Sequence, residues 1–325
     1  MPFNSIRGQD KAIALLQDSI RNNRLASSYL FTGPEGVGKN LVALTLAKAL
    51  NCEKSSFDAC DECVSCQKID KLNHPDLHLL GAVSGDNEDE SEVIKIEAIR
   101  QLQREINLRP YEAKTKVFII NNAHQLTAEA SNALLKILEE PPAHSLIILI
   151  TAKPSLLFRT IISRCRILKF ASLPRLELKE ILKKEHHLPE DEAHFLASFC
   201  EGRIGFGLKM KDSAIFREKN TIIDGFSRYA DSNYETSLPQ DRATIRKHLN
   251  ILSIWLRDIY LAKAGVQGEE IINFDRRYEL SKLAKDYSFS DLDIAFKAVS
   301  DSLLYLEQNI NTRLLLSNLR LALKG

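Results

Sequence analysis

Apolar residues follow two rhythms along this chain, and the rhythm changes near residue 170. Before it, short β-type apolar runs recur at 28–32, 76–82, 116–121, 145–151 and 166–170. Between them, helical patterns are predicted over 40–51, 94–108 and 128–138, the first directly after a glycine-rich turn. Strands alternating with helices in this way predict an α/β domain around a parallel sheet. The segment 83–92 (VSGDNEDESE) is acidic and contains glycine, and it reads as a solvated loop.

Past Phe170 the strand signal fades. Leu173-Pro174 makes a hinge-like break, and 178–184 and 191–200 read as short helices of a small helical domain ending near Lys211. From Thr221 onward amphipathic helices dominate, as over 241–264 and 291–308, with apolar residues three and four apart. Three domains are expected: α/β over 1–170, a small helical lid over 171–211, and an all-α part over 212–325. No internal repeat is visible.

Composition narrows the function classes. The 325 residues carry 44 Lys+Arg against 43 Asp+Glu, a formal charge of +1. That balance argues against a protein that holds DNA or anionic membrane by bulk charge, and hence against an autonomous DNA-binding adaptor. A local basic patch remains compatible with it. The longest apolar run, 146–150, is strand-sized and far short of the roughly 20 residues a membrane span needs. The first residues, MPFNSIRGQDKA, hold no apolar leader segment, so a cytoplasmic protein without membrane contact is expected.

Gly33-Pro-Glu-Gly-Val-Gly-Lys39-Asn40 follows a strand pattern and opens a helix, the context of a phosphate-binding P-loop. Gly33, Gly36 and Gly38 let backbone N–H groups curl round phosphates, and Lys39 reaches the outer ones. The residue after the lysine ordinarily offers a hydroxyl to Mg²⁺; here it is Asn40. At the end of the strand at 116–121, where an acidic pair would hold the metal and activate water, stand Asn121 and Asn122. An amide neither takes a proton from water nor offers charge to a cation. The set reads as a loop kept for packing or weak nucleotide binding, with an active ATPase as the alternative.

Four of the six cysteines fall close together. Cys52, Cys60, Cys63 and Cys66 read C-x7-C-x2-C-x2-C, which in a reducing compartment points to metal before disulfides. Four thiolates without an open position suit structural Zn²⁺; an iron–sulfur cluster or unligated thiols are the alternatives. Cys200 lies on an apolar helix and reads as a small core residue, and Trp255 on its amphipathic helix reads as core of the C-terminal part. His74-Pro-Asp76 reads as a structural turn, and the prolines of Glu139-Glu-Pro-Pro142 suffice to end a helix.

Several stretches together resemble the bacterial clamp-loader AAA+ subunits of DNA polymerase III. They are Ile6-Arg-Gly-Gln9, Arg24-Leu-Ala-Ser-Ser-Tyr-Leu-Phe31 leading into the P-loop, and the cysteine module at 52–66. Asn132-Ala-Leu-Leu-Lys-Ile-Leu-Glu-Glu-Pro-Pro142 and Ile162-Ser-Arg-Cys165 complete the set, with 311–323 resembling the family's final collar helix. The resemblance implies a P-loop AAA+ domain with an inserted zinc module, then a lid and an all-α collar. It implies as partners the gamma/tau motor subunits and the delta subunit, and through the complex a sliding clamp and primer-template DNA.

The family contains ATP-hydrolysing motors and a stator. The motors keep Ser or Thr after the P-loop lysine, an acidic pair after the strand, and a sensor arginine in the lid. This chain departs at Asn40, at Asn121 and Asn122, and at Gly205, although a shift in register would place Arg203 at the last position. These departures, and the chain length, imply the stator: ATP weak or absent at its own site, no enzyme by itself, but a component of the polymerase holoenzyme. The motor type is the alternative. Ser163-Arg164-Cys165 is intact, and the resemblance implies that Arg164 acts as an arginine finger on a neighbour's nucleotide. Cys165 itself has no histidine at a telling spacing and reads as a packing residue, not a nucleophile.

Overall fold

The computed structural model describes residues 1–55, 57–81, 93–212, 215–229, 241–266, 268–308, 310–312, 315 and 319. The acidic segment 83–92 and most of 311–323 lie outside the described residues. The chain forms two compact units, Met1–Leu173 and Pro174–Gly325.

The first unit runs α1 (Asp10–Arg21), β1 (Ser28–Thr32), α2 (Lys39–Asn51), α3 (Val64–Asp70), β2 (Leu77–Leu80), α4 (Ile96–Ile106), β3 (Lys116–Ile120), α5 (Ala128–Glu139), β4 (Ser145–Thr151), α6 (Arg159–Ile162) and β5 (Arg166–Lys169). The five strands are all parallel, in the order β2-β3-β4-β1-β5. β1 and β3 are buried along their whole length, as a sheet covered on both faces requires.

Period-two alternation sorts the strand side chains between two cores. Tyr29, Phe31, Val117, Ile119, Leu146 and Ile148 face one layer with Leu16 of α1 and Val42 and Leu46 of α2. Leu30, Phe118, Ile120, Ile147 and Leu149 face the other, against Ile99 and Leu102 of α4 and Leu134 of α5. The five strands coincide with the five apolar runs, shortened at some ends. α1 was legible in its spacing, with Ala12, Ile13, Leu16 and Ser19 on the buried face, yet was not among the predicted elements.

One buried charge sets the entry to β3. The Asp76 carboxylate, 2% exposed, accepts N–H bonds from Tyr111, Glu112 and Ala113 at 2.8–3.0 Å. Lys116 Nζ stands 3.9 Å away. Burial opposes the charge of Asp76, but these N–H groups and Lys116 outweigh it and hold its pKa below the usual carboxylate value.

The second unit is helical throughout its described elements: α7 (Arg175–Lys184), α8 (Glu190–Phe199), α9 (Ile204–Asp212), α10 (Ile215–Tyr229), α11 (Arg242–Lys263), α12 (Arg277–Asp286) and α13 (Phe289–Glu307). Trp255 and Cys200 are fully buried, and burial pushes the Cys200 thiol up to about 12. Among the described residues no helix is long and apolar enough to cross a membrane.

Candidate phosphate and cysteine sites

The phosphate loop leaves the C-terminal end of β1. Gly33, Gly36 and Gly38 all take positive φ (146°, 74° and 96°), the left-handed turns that a side chain resists. At Gly33 a Cβ would also lie 2.2 Å from the Phe170 carbonyl oxygen. α2 then starts at Lys39, so its first N–H groups point at the loop. Lys39 is 7% exposed, and its Nζ donates to the carbonyls of Gly33 (2.6 Å) and Pro34 (2.5 Å). Burial lowers its pKa to about 8, with Glu35 opposing the shift. Asn40 Oδ1 is buried without a hydrogen-bond partner. The buried Gln9 amide ties this loop to the segment that follows β5, donating to the carbonyls of Val37 (3.1 Å) and Ala171 (2.8 Å).

Because the strands are parallel, β3 ends on the same edge of the sheet as β1. Asn121 begins the turn there, 6% exposed, its N–H bonded to the Leu80 carbonyl. Asn122 follows at φ 47°, and His124 Nδ1 meets Thr151 Oγ1 at 3.0 Å. The sheet thus brings Lys39, Asn40, Asn121 and Asn122 to one edge. Glycines and a lysine there can hold an anion, but the four residues include no carboxylate and no hydroxyl.

Arg164 lies elsewhere. It follows α6 and precedes β5, whose Arg166 pairs with Tyr29 at the start of β1. The loop glycine at 33 is four residues further along β1, about 13 Å away at the rise of a strand. Arg164 therefore occupies the sheet edge opposite its own phosphate loop. It is exposed; Nη1 donates to the Thr160 carbonyl (3.0 Å) and Ser163 Oγ (3.4 Å), and Nη2 pairs with Glu139 Oε1 at 2.7 Å. The sequence reading gave Glu139 no part in this contact. Its place in the last turn of α5, where the helix carbonyl ends disfavour negative charge, was the available signal. Cys165 joins the core around α5, and burial pushes its thiol up to about 12.

The four clustered cysteines converge. All four Sγ atoms lie within 4.8 Å of one another, and Cys60 and Cys66 are 4.0 Å apart. A tetrahedron of thiolates about 2.3 Å from one ion has edges of roughly 3.8 Å. Cys52 caps the end of α2 and Cys63 the start of α3, so two helix ends fix the span of the module. Backbone N–H groups of Ser55, Cys63 and Cys66 point at the sulfurs of Cys52, Cys60 and Cys63 at 3.3–3.4 Å. The N–H groups of Cys63 and Glu62 draw the Cys60 thiol down to about 7, while burial pushes Cys66 up to about 12. This cluster could hold one metal ion with no position left for chemistry.

In the second unit, Arg203 spends its guanidinium locally, donating to the Cys200 carbonyl and stacking 4.7 Å over Phe206. Gly205 lies within α9.

Comparison with known proteins agrees with the resemblance. The model of the family described as DNA polymerase III, delta subunit, matches residues 8–174, and its C-terminal counterpart matches residues 236–324. DNA polymerase III subunit delta' of Bacillus subtilis is 41% identical over 165 residues, 51% of this chain and 48% of that protein. DNA polymerase III subunit tau of Escherichia coli is 35% identical over 219 residues, 66% of this chain and 33% of that protein. The chain thus spans about half the length, or less, of these relatives. Among solved structures, a DNA polymerase III gamma subunit-related protein from Thermotoga maritima aligns with a TM-score of 0.45 and 16% identity, over 96% of this chain and 98% of that one. Its first family match covering the α/β unit from the phosphate loop to the end of β5, the chain belongs to the DNA polymerase III delta-subunit family.

Proposed function

We propose that this chain is a delta-prime-type stator of the DNA polymerase III clamp loader, supplying Arg164 to the ATP site of an adjacent gamma/tau motor subunit. The observation that carries this reading is positional. Arg164 is exposed on the sheet edge opposite its own phosphate loop, so a phosphate it meets belongs to another molecule. A guanidinium placed there stabilises charge spread over a transferring γ-phosphoryl group.

Its own site is degenerate in this reading. Asn40, Asn121 and Asn122 leave Mg²⁺ and the attacking water without ligand or base, and Lys39 donates to its own loop carbonyls. Gly33, Gly36 and Gly38 keep the loop conformation. Cys52, Cys60, Cys63 and Cys66 would hold a structural Zn²⁺, whose charge keeps all four sulfurs as thiolates and clamps the ends of α2 and α3.

The second unit would divide into a lid over 171–211 and a collar over 212–325. On α13, Ile294 (54% exposed), Phe296 and Leu304 present apolar surface that packing into a ring of subunits would cover. The partners in this reading are motor and delta subunits, with the sliding clamp and primer-template DNA reached through the complex in the cytoplasm.

Steady-state ATPase decides between stator and motor. The stator reading expects no turnover from the purified chain and a fall in complex ATPase on Arg164→Ala. Turnover by the purified chain that vanishes on Lys39→Ala would establish the gamma/tau motor type, a reading favoured only by the preserved loop and the tau similarity.

A further inference from the structure

We propose that Glu139 is a latch on Arg164: its carboxylate occupies the place that a neighbour's phosphate takes, and it must be displaced before the guanidinium acts. This inference rests on the trans role of Arg164 set out above.

The geometry has two halves. On one side, Nη1 donates to the Thr160 carbonyl in α6 and to Ser163 Oγ, the residue just before Arg164. These bonds fix the base of the guanidinium to its own loop. On the other side, Nη2 makes its contact with Glu139 Oε1 at 2.7 Å, on a different element. Only that second half has to change when another anion arrives.

A carboxylate and a terminal phosphate present the same pair of acceptor oxygens to a guanidinium fork, and the phosphate brings more negative charge. The two therefore compete for one position. Glu139 ends α5, where the helix carbonyls already bring negative charge, and Glu140 follows it. Arg164 relieves that local excess in the free subunit, which favours the latched state. The side chains of Arg164 and Glu139 are 35% and 50% exposed, so water can take over either partner. A pair this open resists opening by at most about fivefold, the equivalent of roughly 1 kcal/mol. It can bias the finger without abolishing its use.

The test is the ATPase of the complex reconstituted from this chain and its motor and delta subunits, comparing wild type, Glu139→Gln, Glu140→Gln, Arg164→Ala and Glu139→Gln/Arg164→Ala. Glu139→Gln keeps the side-chain shape and removes its charge. It should raise kcat/KM two- to fivefold, a gain that loss of a merely structural contact does not produce. Glu140→Gln should match wild type, and Glu139→Gln should change nothing once Arg164 is alanine. If Arg164→Ala lowers the rate but Glu139→Gln leaves it unchanged or lowers it, the latch is wrong while the trans role stands. A gain from Glu139→Gln that persists without Arg164 overturns the latch too. If Arg164→Ala itself has no effect, the trans role fails and the latch with it.

Discussion

Replacing Asp76 by asparagine tests how the first unit is held together, because one buried carboxylate organises the whole approach to β3. Oδ2 accepts from Tyr111, Glu112 and Ala113 at 3.0, 2.8 and 2.8 Å, and Oδ1 accepts from Tyr111 at 2.8 Å and faces Lys116. Asparagine has nearly the same volume but one acceptor oxygen. In its better orientation the amide oxygen keeps the three Oδ2 bonds and turns its NH2 group towards Lys116 and the Tyr111 N–H.

Each retained bond changes from charge-assisted, at about 1.5–3 kcal/mol, to neutral, at about 0.5–1.5 kcal/mol. Three such changes, with Lys116 left facing a donor, predict a loss of about 3–4.5 kcal/mol. Urea unfolding followed by circular dichroism measures it, and hydrogen exchange at residues 111–113 localises it. The acid limb gives a second check. The folded-state pKa of Asp76 is depressed, so its contribution is full above the unfolded value near 3.9 and is lost as pH falls through the folded value. The variant should lack that component of acid destabilisation. An unchanged urea midpoint with unchanged protection at 111–113 would refute the account of this loop.

The remaining expectations concern the candidate sites. Elemental analysis of protein purified without chelator should find about one zinc per chain, and stripping it should raise exchange across 52–66; a metal-free chain with full protection there contradicts the metal reading. Arg164→Ala should leave assembly intact by size-exclusion chromatography and lower complex ATPase by about 10³-fold or more at the one site it serves; sites with their own arginines would mask part of the loss, so single-site turnover is the proper measure. For Lys39→Ala, ATP hydrolysis by the isolated chain should stay at the background of the wild type, and any turnover that the substitution removes counts against a degenerate site. The Glu139→Gln gain in the complex tests the latch.

The sequence by itself determined which residue types each candidate site offers. Short apolar runs placed the five described strands; β1 and β3 are buried along their whole length, and a strand covered on both faces has few polar choices. Cysteine spacing named four candidate ligands, since two C-x2-C steps and one upstream cysteine suit a tetrahedral metal site. Amides at 40, 121 and 122 were likewise visible as residue types, whatever the fold.

Only the tertiary structure decided which of these groups share an edge. The order β2-β3-β4-β1-β5 is set by pairing between strands far apart in the chain, which no local pattern encodes. Because the strands run parallel, Asn121 and Asn122 come to the same edge as Lys39, and Arg164 to the opposite one. Contacts such as Asp76 with residues 111–113, or Glu139 with Arg164, join segments at separations where hydrophobic period carries no information. Residue type fixes what a side chain can do, and chain topology fixes what it can reach; here that difference separates an arginine that serves its own phosphate loop from one that faces away from it.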